Sequence, residues 1–181
     1  MTANDEITLT AAEAAALRRG FTYCPRCRAE LVDKMAFDRV RRVCPDCNFV
    51  QFIDPKVVAA VMARQDGKIL LVRRSIEPAQ GKWCFPGGFI EVDETPQQAA
   101  ARECLEESGY IVTIDKLVDV YSFQDFRSSG IMIIYTGHIT GGQALTNSEV
   151  DGVGLFGPEE LPEIAFDTNK QAIEQWLAGK I

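Results

Sequence analysis

The stretch from Gly88 to Tyr110 constrains this chain more than any other. It gathers Glu91, Asp93, Glu94, Glu103, Glu106 and Glu107 in one short segment, with Arg102 as the one cation among them. Its second half is predicted to be a single helix. Thr95 suits the N-cap, Pro96 the first helical position, and Gln98 completes a Thr-x-x-Gln capping box. Ala99, Ala100 and Ala101 favour helix, and Gly109 suits a left-handed stop. On such a helix Glu103, Glu106 and Glu107 fall at i, i+3 and i+4 and leave from one face. Carboxylates this close repel one another, and helix propensity gives no reason to group them. A hard divalent cation does, because Mg²⁺ and Mn²⁺ take carboxylate oxygens while keeping several waters. The plainer reading is a solvated acidic helix face, the usual meaning of a charge run. The residues upstream argue the other way. Phe85-Pro86-Gly87-Gly88 is a tight, Gly-rich turn after an apolar strand, and it brings backbone amides and carbonyls to the start of the acidic segment. Arg102 is placed to turn back toward Glu94 and tie the loop to the helix.

Written as a pattern, the segment is Gly88, five residues, Glu94, seven residues, then Arg102-Glu103-Cys104-Leu105-Glu106-Glu107-Ser108-Gly109-Tyr110. This resembles the signature of the Nudix hydrolases, with every fixed position filled and Cys104 and Tyr110 in the two apolar slots. The resemblance runs from about Lys56 to the C-terminus. It implies a three-layer α/β/α sandwich with a mixed sheet. It also implies an enzyme that cleaves a nucleoside diphosphate linked to another group, by attack of water at phosphorus with Mg²⁺ or Mn²⁺ on the diphosphate. By the same resemblance Glu103, Glu106 and Glu107 are metal ligands together with the carbonyl of Gly88. Arg102 and Glu94 stand behind them and hold them in position. Many family members take another glutamate from a loop before the last strand, as ligand or general base. Glu149 is the residue expected here, and Glu160 is the alternative. A dimer is common in the family.

Ahead of that region the composition changes. Cys24-Pro25-Arg26-Cys27 and Cys44-Pro45-Asp46-Cys47 form two Cys-x-x-Cys knuckles separated by sixteen residues. Each offers two thiolates, and four complete the tetrahedron of a closed structural Zn²⁺ site. Disulfides are the competing use, but no export signal is evident and a reducing cytoplasm keeps thiols free. Lys34 to Val43 alternates as a short hairpin between the knuckles, giving a zinc ribbon. Its basic run, Arg39, Arg41 and Arg42, is modest and no aromatic platform is evident, so a structural role is expected. Cys84 and Cys104 read as small buried hydrophobes. The expected organisation is a helical arm over 1–20, the ribbon over 21–53 and, by the resemblance, a Nudix hydrolase domain over 54–181. In the arm, Thr10 with Glu13 makes a capping box, Arg18 and Arg19 suit the last turn, and Gly20 stops it. It reads as a packing or homodimer contact.

Around the acidic segment, Lys56 to Ala63 and Lys68 to Arg74 read as a hairpin about Asp66-Gly67. Arg73 and Arg74 end the second strand and are candidates to meet a diphosphate. Ile111 to Phe123 and Ile131 to Ile139 read as two further strands. Phe126 and Arg127 lie between them as candidate substrate contacts, since stacking and cation contacts both suit a nucleotide. His138 reads as structural, and a final helix over Asn169 to Leu177 is expected to turn Ile173, Trp176 and Leu177 inward.

The formal charge of −7 argues against tight non-specific nucleic-acid binding. No apolar run approaches the roughly 20 residues that span a membrane. The resemblance implies a small nucleotide as the partner, and with no export signal evident the expected compartment is the cytoplasm. A zinc ribbon ahead of such a domain is similar to the NADH pyrophosphatases. Those carry Ser-Gln-Pro-Trp-Pro-Phe-Pro shortly after the acidic pattern, where this chain has Val120-Tyr121-Ser122-Phe123-Gln124-Asp125-Phe126. The ribbon, Gly81-Lys82-Trp83 before the turn and the short C-terminal part look more like the ADP-ribose and FAD pyrophosphatase group. The alternatives are a nucleoside triphosphate sanitiser of the mutator type and a non-catalytic Nudix ligand sensor. The filled acidic pattern favours an enzyme.

Overall fold

A computed structural model of the chain describes residues 10–124 and 129–181. They form two compact units, one built from the chain up to Pro55 with Gln124 and Ser129, the other from Lys56–Phe123 and Gly130–Ile181. In the first unit, helix α1 (Ala11–Arg19) opens on the expected capping box. The Thr10 N–H and hydroxyl both donate to Glu13 Oε2, at 2.8 and 2.7 Å. Gly20 closes it in a right-handed rather than a left-handed conformation, its N–H donating to Leu17 O at 3.2 Å in a tightened last turn.

Strands β1 (Val32–Ala36), β2 (Arg39–Val43) and β3 (Val50–Gln51) make a three-stranded antiparallel sheet. Phe37 and Asp38 turn the first hairpin with φ of 52° and 59°, the left-handed pair that a two-residue turn of this hand requires. The expectation that this unit lacks an aromatic platform was wrong. Tyr23 and Phe37 are 68% and 71% exposed, the Phe37 and Phe52 rings lie 5.7 Å apart, and the Arg41 guanidinium sits 4.5 Å over Phe52. The reason is size. The interior here is Leu31 with Cys24, Cys44, Ala29 and Phe49, too little to take in the remaining rings.

In the second unit β4 (Lys56–Gln65) and β5 (Lys68–Arg74) pair across Asp66-Gly67, with φ of 51° and 75°. There follow β6 (Trp83–Cys84), β7 (Gly87–Phe89), α2 (Pro96–Ser108), β8 (Tyr110–Gln124), β9 (Ser129–Gly142), β10 (Val150–Phe156), a 3₁₀ turn at Pro158–Glu160 and α3 (Asp167–Leu177). The sheet runs β10-β5-β4-β9-β8, with β6 on β5 and β7 on β4. It is mixed, because β4 and β9 are parallel while β10–β5, β4–β5 and β4–β7 are antiparallel.

Side-chain alternation along β4 sets the layers. Ala59, Val61 and Ala63 pack with Ala99, Ala100 and Cys104 of α2, while Ala60 and Met62 pack with Ala172 and Ile173 of α3. The two helices thus cover opposite faces, the expected α/β/α sandwich. On α3 the buried stripe is Thr168, Asn169, Ala172 and Ile173, and Leu177 stays 51% exposed, contrary to expectation. A hydropathy pattern counts Asn169 as outward. Its Oδ1 is buried because it accepts the Phe85 N–H at 2.8 Å, which anchors the chain just ahead of the Gly87-Gly88 turn.

Candidate active site

Helix α2 begins and ends as its residues dictate. The Thr95 N–H donates to Gln98 Oε1 at 2.8 Å and the Gln98 N–H to Thr95 Oγ1 at 3.3 Å. Gly109 closes the helix at φ 75°. The helix lies against β7, which sits on β4 with Gly87 opposite Ala60 and Gly88 opposite Ala59. Gly87 is held to glycine by neighbouring backbone, and a side chain at 88 would have to displace Glu103. A Cβ at position 87 would stand 2.5 Å from the Ala60 Cβ, and one at position 88 would overlap the Glu103 carboxylate.

Arg102 organises the carboxylates. Its Nη2 and Nε donate to Glu94 at 2.6 and 3.0 Å, a bidentate fork, and Nη2 also reaches Phe89 O at 3.1 Å. Its Nη1 donates to Glu103 Oε1 at 2.8 Å and to Glu106 Oε2 at 3.0 Å. Glu94 in turn accepts the Glu91 N–H at 2.8 Å. On the inner side of the group, Glu107 Oε2 accepts the Gly87 N–H at 2.9 Å.

Burial separates these acids electrically. Arg102, with help from the Glu91 N–H, holds the Glu94 carboxyl down at about 2. Burial pushes Glu107 up to about 7 against the Gly87 hydrogen bond, with Glu103 and Glu149 adding to the rise and Arg74 opposing it. Burial also raises Glu103, against Arg102. Of these two desolvated carboxylates, one turn apart on one helix, Glu103 is paired with Arg102 and Glu107 with the Gly87 N–H. Hard oxygen donors of this kind suit Mg²⁺ or Mn²⁺. The glutamates do not converge as tightly as a closed cage, since Arg102 Nη1 lies between Glu103 and Glu106.

Glu149 follows the loop from β9 to β10, and its charge is felt at Glu107. Two residues not singled out from sequence hold its main chain: Ser75, whose N–H donates to Glu149 O at 2.9 Å, and Asn147, whose Oδ1 accepts the Glu149 N–H at 2.8 Å. Glu160 sits at the other end of β10, bound to Lys68 Nζ at 3.2 Å, far along the register from the Val150–Arg74 pair. Of the two, Glu149 is the one whose charge is felt at Glu107.

The four cysteines of the knuckles also come together. Their Sγ atoms lie within 4.8 Å of one another, with separations of 3.6 Å for Cys24–Cys47, 3.4 Å for Cys27–Cys44 and 3.6 Å for Cys27–Cys47. A disulfide would need about 2.05 Å, whereas thiolates at about 2.3 Å from one tetrahedral ion stand about 3.8 Å apart. The spacing fits a metal. Each knuckle is built alike, with a positive φ at Arg28 and Asn48, whose N–H groups donate back to Cys24 O and Cys44 O at 2.9 and 3.1 Å.

Residues 54–177 match the NUDIX domain family. The chain belongs to the Nudix hydrolases. Among relatives of this Nudix protein, the ADP-ribose pyrophosphatase of Methanocaldococcus jannaschii is 34% identical over 121 residues, 66% of this chain and 72% of the relative. The NAD-capped RNA hydrolase NudC of Vibrio cholerae is 30% identical over 160 residues, 86% of this chain but 57% of that protein's length. A crystal structure of a NUDIX hydrolase from Nitrosomonas europaea superposes with a TM-score of 0.81 at 32% identity, covering 87% of this chain and 90% of that one. The last two coverages exceed what residues 54–181 alone supply, so both matches extend into the cysteine-bearing part.

In the Nudix domain the two arginines at the end of β5 differ in surroundings. Arg73 Nε donates to Asp151 Oδ1 at 2.7 Å, with its guanidinium 5.8 Å over Trp83. Arg74 lies 5.2 Å over Phe166, donates to Pro78 O at 2.7 Å, and is the one whose charge reaches Glu107. Phe126 and Arg127 lie outside the described residues. Cys84 and Cys104 are buried, as expected, and burial pushes both thiols up, to about 12 and about 11. His138 is bound at Nδ1 to Asp115 at 2.8 Å on the surface. Among the described residues no helix is long and apolar enough to cross a membrane.

Proposed function

We propose that this Nudix hydrolase cleaves the diphosphate bond of a nucleoside diphosphate linked to a second moiety, such as ADP-ribose, FAD or a related dinucleotide, releasing AMP. Mg²⁺ or Mn²⁺ is its catalytic ion, and the four cysteines hold a structural Zn²⁺. The observation that carries this reading is the pair Glu103 and Glu107, both desolvated and set against the Gly87-Gly88 turn, with Arg102 joining Glu103 to Glu106 and locked onto Glu94 behind them. The relatives give the substrate class its support. ADP-ribose and NAD share an adenosine diphosphate esterified to a second ribose, and both names occur among them.

Glu103, Glu106 and Glu107 with the Gly88 carbonyl would hold the catalytic ion, which when bound neutralises the diphosphate and acidifies water. The chain's own residues do the rest. Gly87 and Gly88 let the turn approach without a side chain, Arg102 and Glu94 keep the helix and turn in register, and Glu149 takes the proton from the attacking water. The new bond joins that water oxygen to phosphorus, the bridging P–O bond breaks, and the second phosphate ester leaves. Arg73, Arg74, Phe126 and Arg127 are the residues proposed to meet the nucleotide. The unit with the cysteines is proposed as a separate zinc ribbon over 21–53, following an arm over 1–20 and preceding a hydrolase domain over 54–181. The test is turnover with Mg²⁺ or Mn²⁺ against ADP-ribose, FAD, NADH, diadenosine polyphosphates and nucleoside triphosphates. AMP from ADP-ribose or FAD is the expected product. Pyrophosphate from a triphosphate would move the protein to the sanitisers, and no turnover of any compound would make it a ligand sensor.

A further inference from the structure

The loop that carries Glu149 is fastened to α2 by its backbone and by the Asn147 side chain. Helix α2 ends with free carbonyls, as every helix does, and the segment after β9 runs along them. The Gln143 N–H donates to Gly109 O at 3.2 Å and the Leu145 N–H to Ser108 O at 2.9 Å. Asn147 then reaches Glu106 O with Nδ2 at 2.9 Å. With its other end, Oδ1, it accepts the N–H groups of Glu149 and Val150 at 2.8 and 2.9 Å. Its own N–H donates to Val150 O at 3.0 Å. From the opposite side, the Ser75 N–H donates to Glu149 O at 2.9 Å and the Ser75 hydroxyl to Ser148 O at 2.6 Å. Both main-chain groups of Glu149 are therefore taken, one by a side chain anchored on the acidic helix and one by the end of β5.

We propose that Asn147 is a positioning residue: its amide bridges Glu106 O and the Glu149 N–H, and so holds the Glu149 carboxylate at a set place relative to the glutamates of α2. This rests on the hydrolase reading and on the role given there to Glu149. An amide suits the task because a single planar group donates at one end and accepts at the other. Aspartate keeps the acceptor but loses the donor and sets a charge against a carbonyl oxygen. The bridge places Glu149 before substrate arrives, which is how a supporting residue contributes to rate without touching the reacting atoms.

The experiment compares Asn147→Ala, Asn147→Asp and Glu149→Gln, singly and as the Asn147→Ala, Glu149→Gln pair, in the full zinc- and magnesium-loaded protein. Asn147→Ala is expected to lower kcat about 10- to 100-fold with KM within about twofold, and Asn147→Asp to do no better. On the Glu149→Gln background, Asn147→Ala should add almost nothing, because both act through one carboxylate. A full additional loss in the double variant would overturn the proposal, as would an unchanged rate in Glu149→Gln. Amide hydrogen exchange supplies a readout independent of turnover. Asn147→Ala should deprotect Glu149 and Val150 while leaving β4 and α2 protected, and unchanged protection there would overturn the proposal even in an inactive protein. If Asn147→Ala does not fold, Asn147→Asp, which loses the bond to Glu106 O, is paired with Glu149→Gln and its rates are read the same way. A wild-type protein that hydrolyses nothing would refute the proposed function, and the exchange result would still decide whether Asn147 holds this loop.

Discussion

The Glu103 carboxylate occupies the space that a Cβ on residue 88 would need. The Gly-rich turn and the acidic helix are therefore in direct contact, and the glycine is selected by its neighbour, since no positive φ is required of it. Gly88→Ala is expected to push Glu103 off its place beside Arg102. Turnover should fall by at least about tenfold, the scale for a disturbed supporting contact, with far-UV circular dichroism unchanged. Wild-type turnover would mean that the position of Glu103 is not critical.

Glu107→Gln keeps the shape of the side chain and its bond to the Gly87 N–H but removes the charge. Loss of a preorganised charge of this kind costs about a hundredfold or more in kcat. Manganese affinity, followed by electron paramagnetic resonance, should fall in parallel. Turnover near the wild-type value would remove Glu107 from the metal site.

Arg102 joins three carboxylates and a carbonyl through one planar group. A lysine is a single point charge and cannot reproduce the fork. Arg102→Lys should therefore lose most of the rate, about 10- to 100-fold, although the net charge is unchanged. A variant as active as the parent would reduce Arg102 to a charge-balancing role.

The acids also set a pH dependence. Burial holds Glu107 up at about 7, against about 4.3 for an unperturbed glutamate. Between these values the folded chain keeps a proton that the unfolded chain releases, so stability is full below the lower value and is lost as pH rises through about 7. Glu103 is shifted the same way. Glu94, held at about 2, loses its contribution only as pH falls below the ordinary range. In EDTA the Tm should drop by about 3–5 °C from pH 5 to pH 8. Mg²⁺ should restore it at pH 8 and do little at pH 5, and Glu107→Gln should flatten the slope. A Tm that climbs with pH under EDTA would contradict the burial of Glu107.

Cys24→Ser should remove zinc and lower the melting temperature of the cysteine-bearing unit, with the residual rate on a good substrate cut by less than about tenfold, because a closed four-thiolate site takes no part in chemistry. Metal analysis should find one zinc per chain before the change. A stoichiometric disulfide by mass spectrometry would overturn the zinc assignment.

Much of the site was legible locally. The α2 helix, its Thr95–Gln98 box, its Gly109 stop and the shared face of Glu103, Glu106 and Glu107 follow from periodicity and capping, which act within a few residues. The two knuckles are legible for the same reason, since each is a closed turn of its own backbone. What tertiary structure decided is everything that depends on distant segments meeting. Asn169 turns inward because Phe85 offers it an N–H, and Tyr23 and Phe37 stay outside because the small core of their unit has no room for them. Asn147 and Ser75 matter only once the loop before β10 lies between the end of α2 and the end of β5. The charges of Glu103, Glu106 and Glu107 were written in the chain. Which of them is desolvated, and so which most needs a cation, was decided by what the sheet placed over each, because burial is a property of neighbours and not of the residue itself.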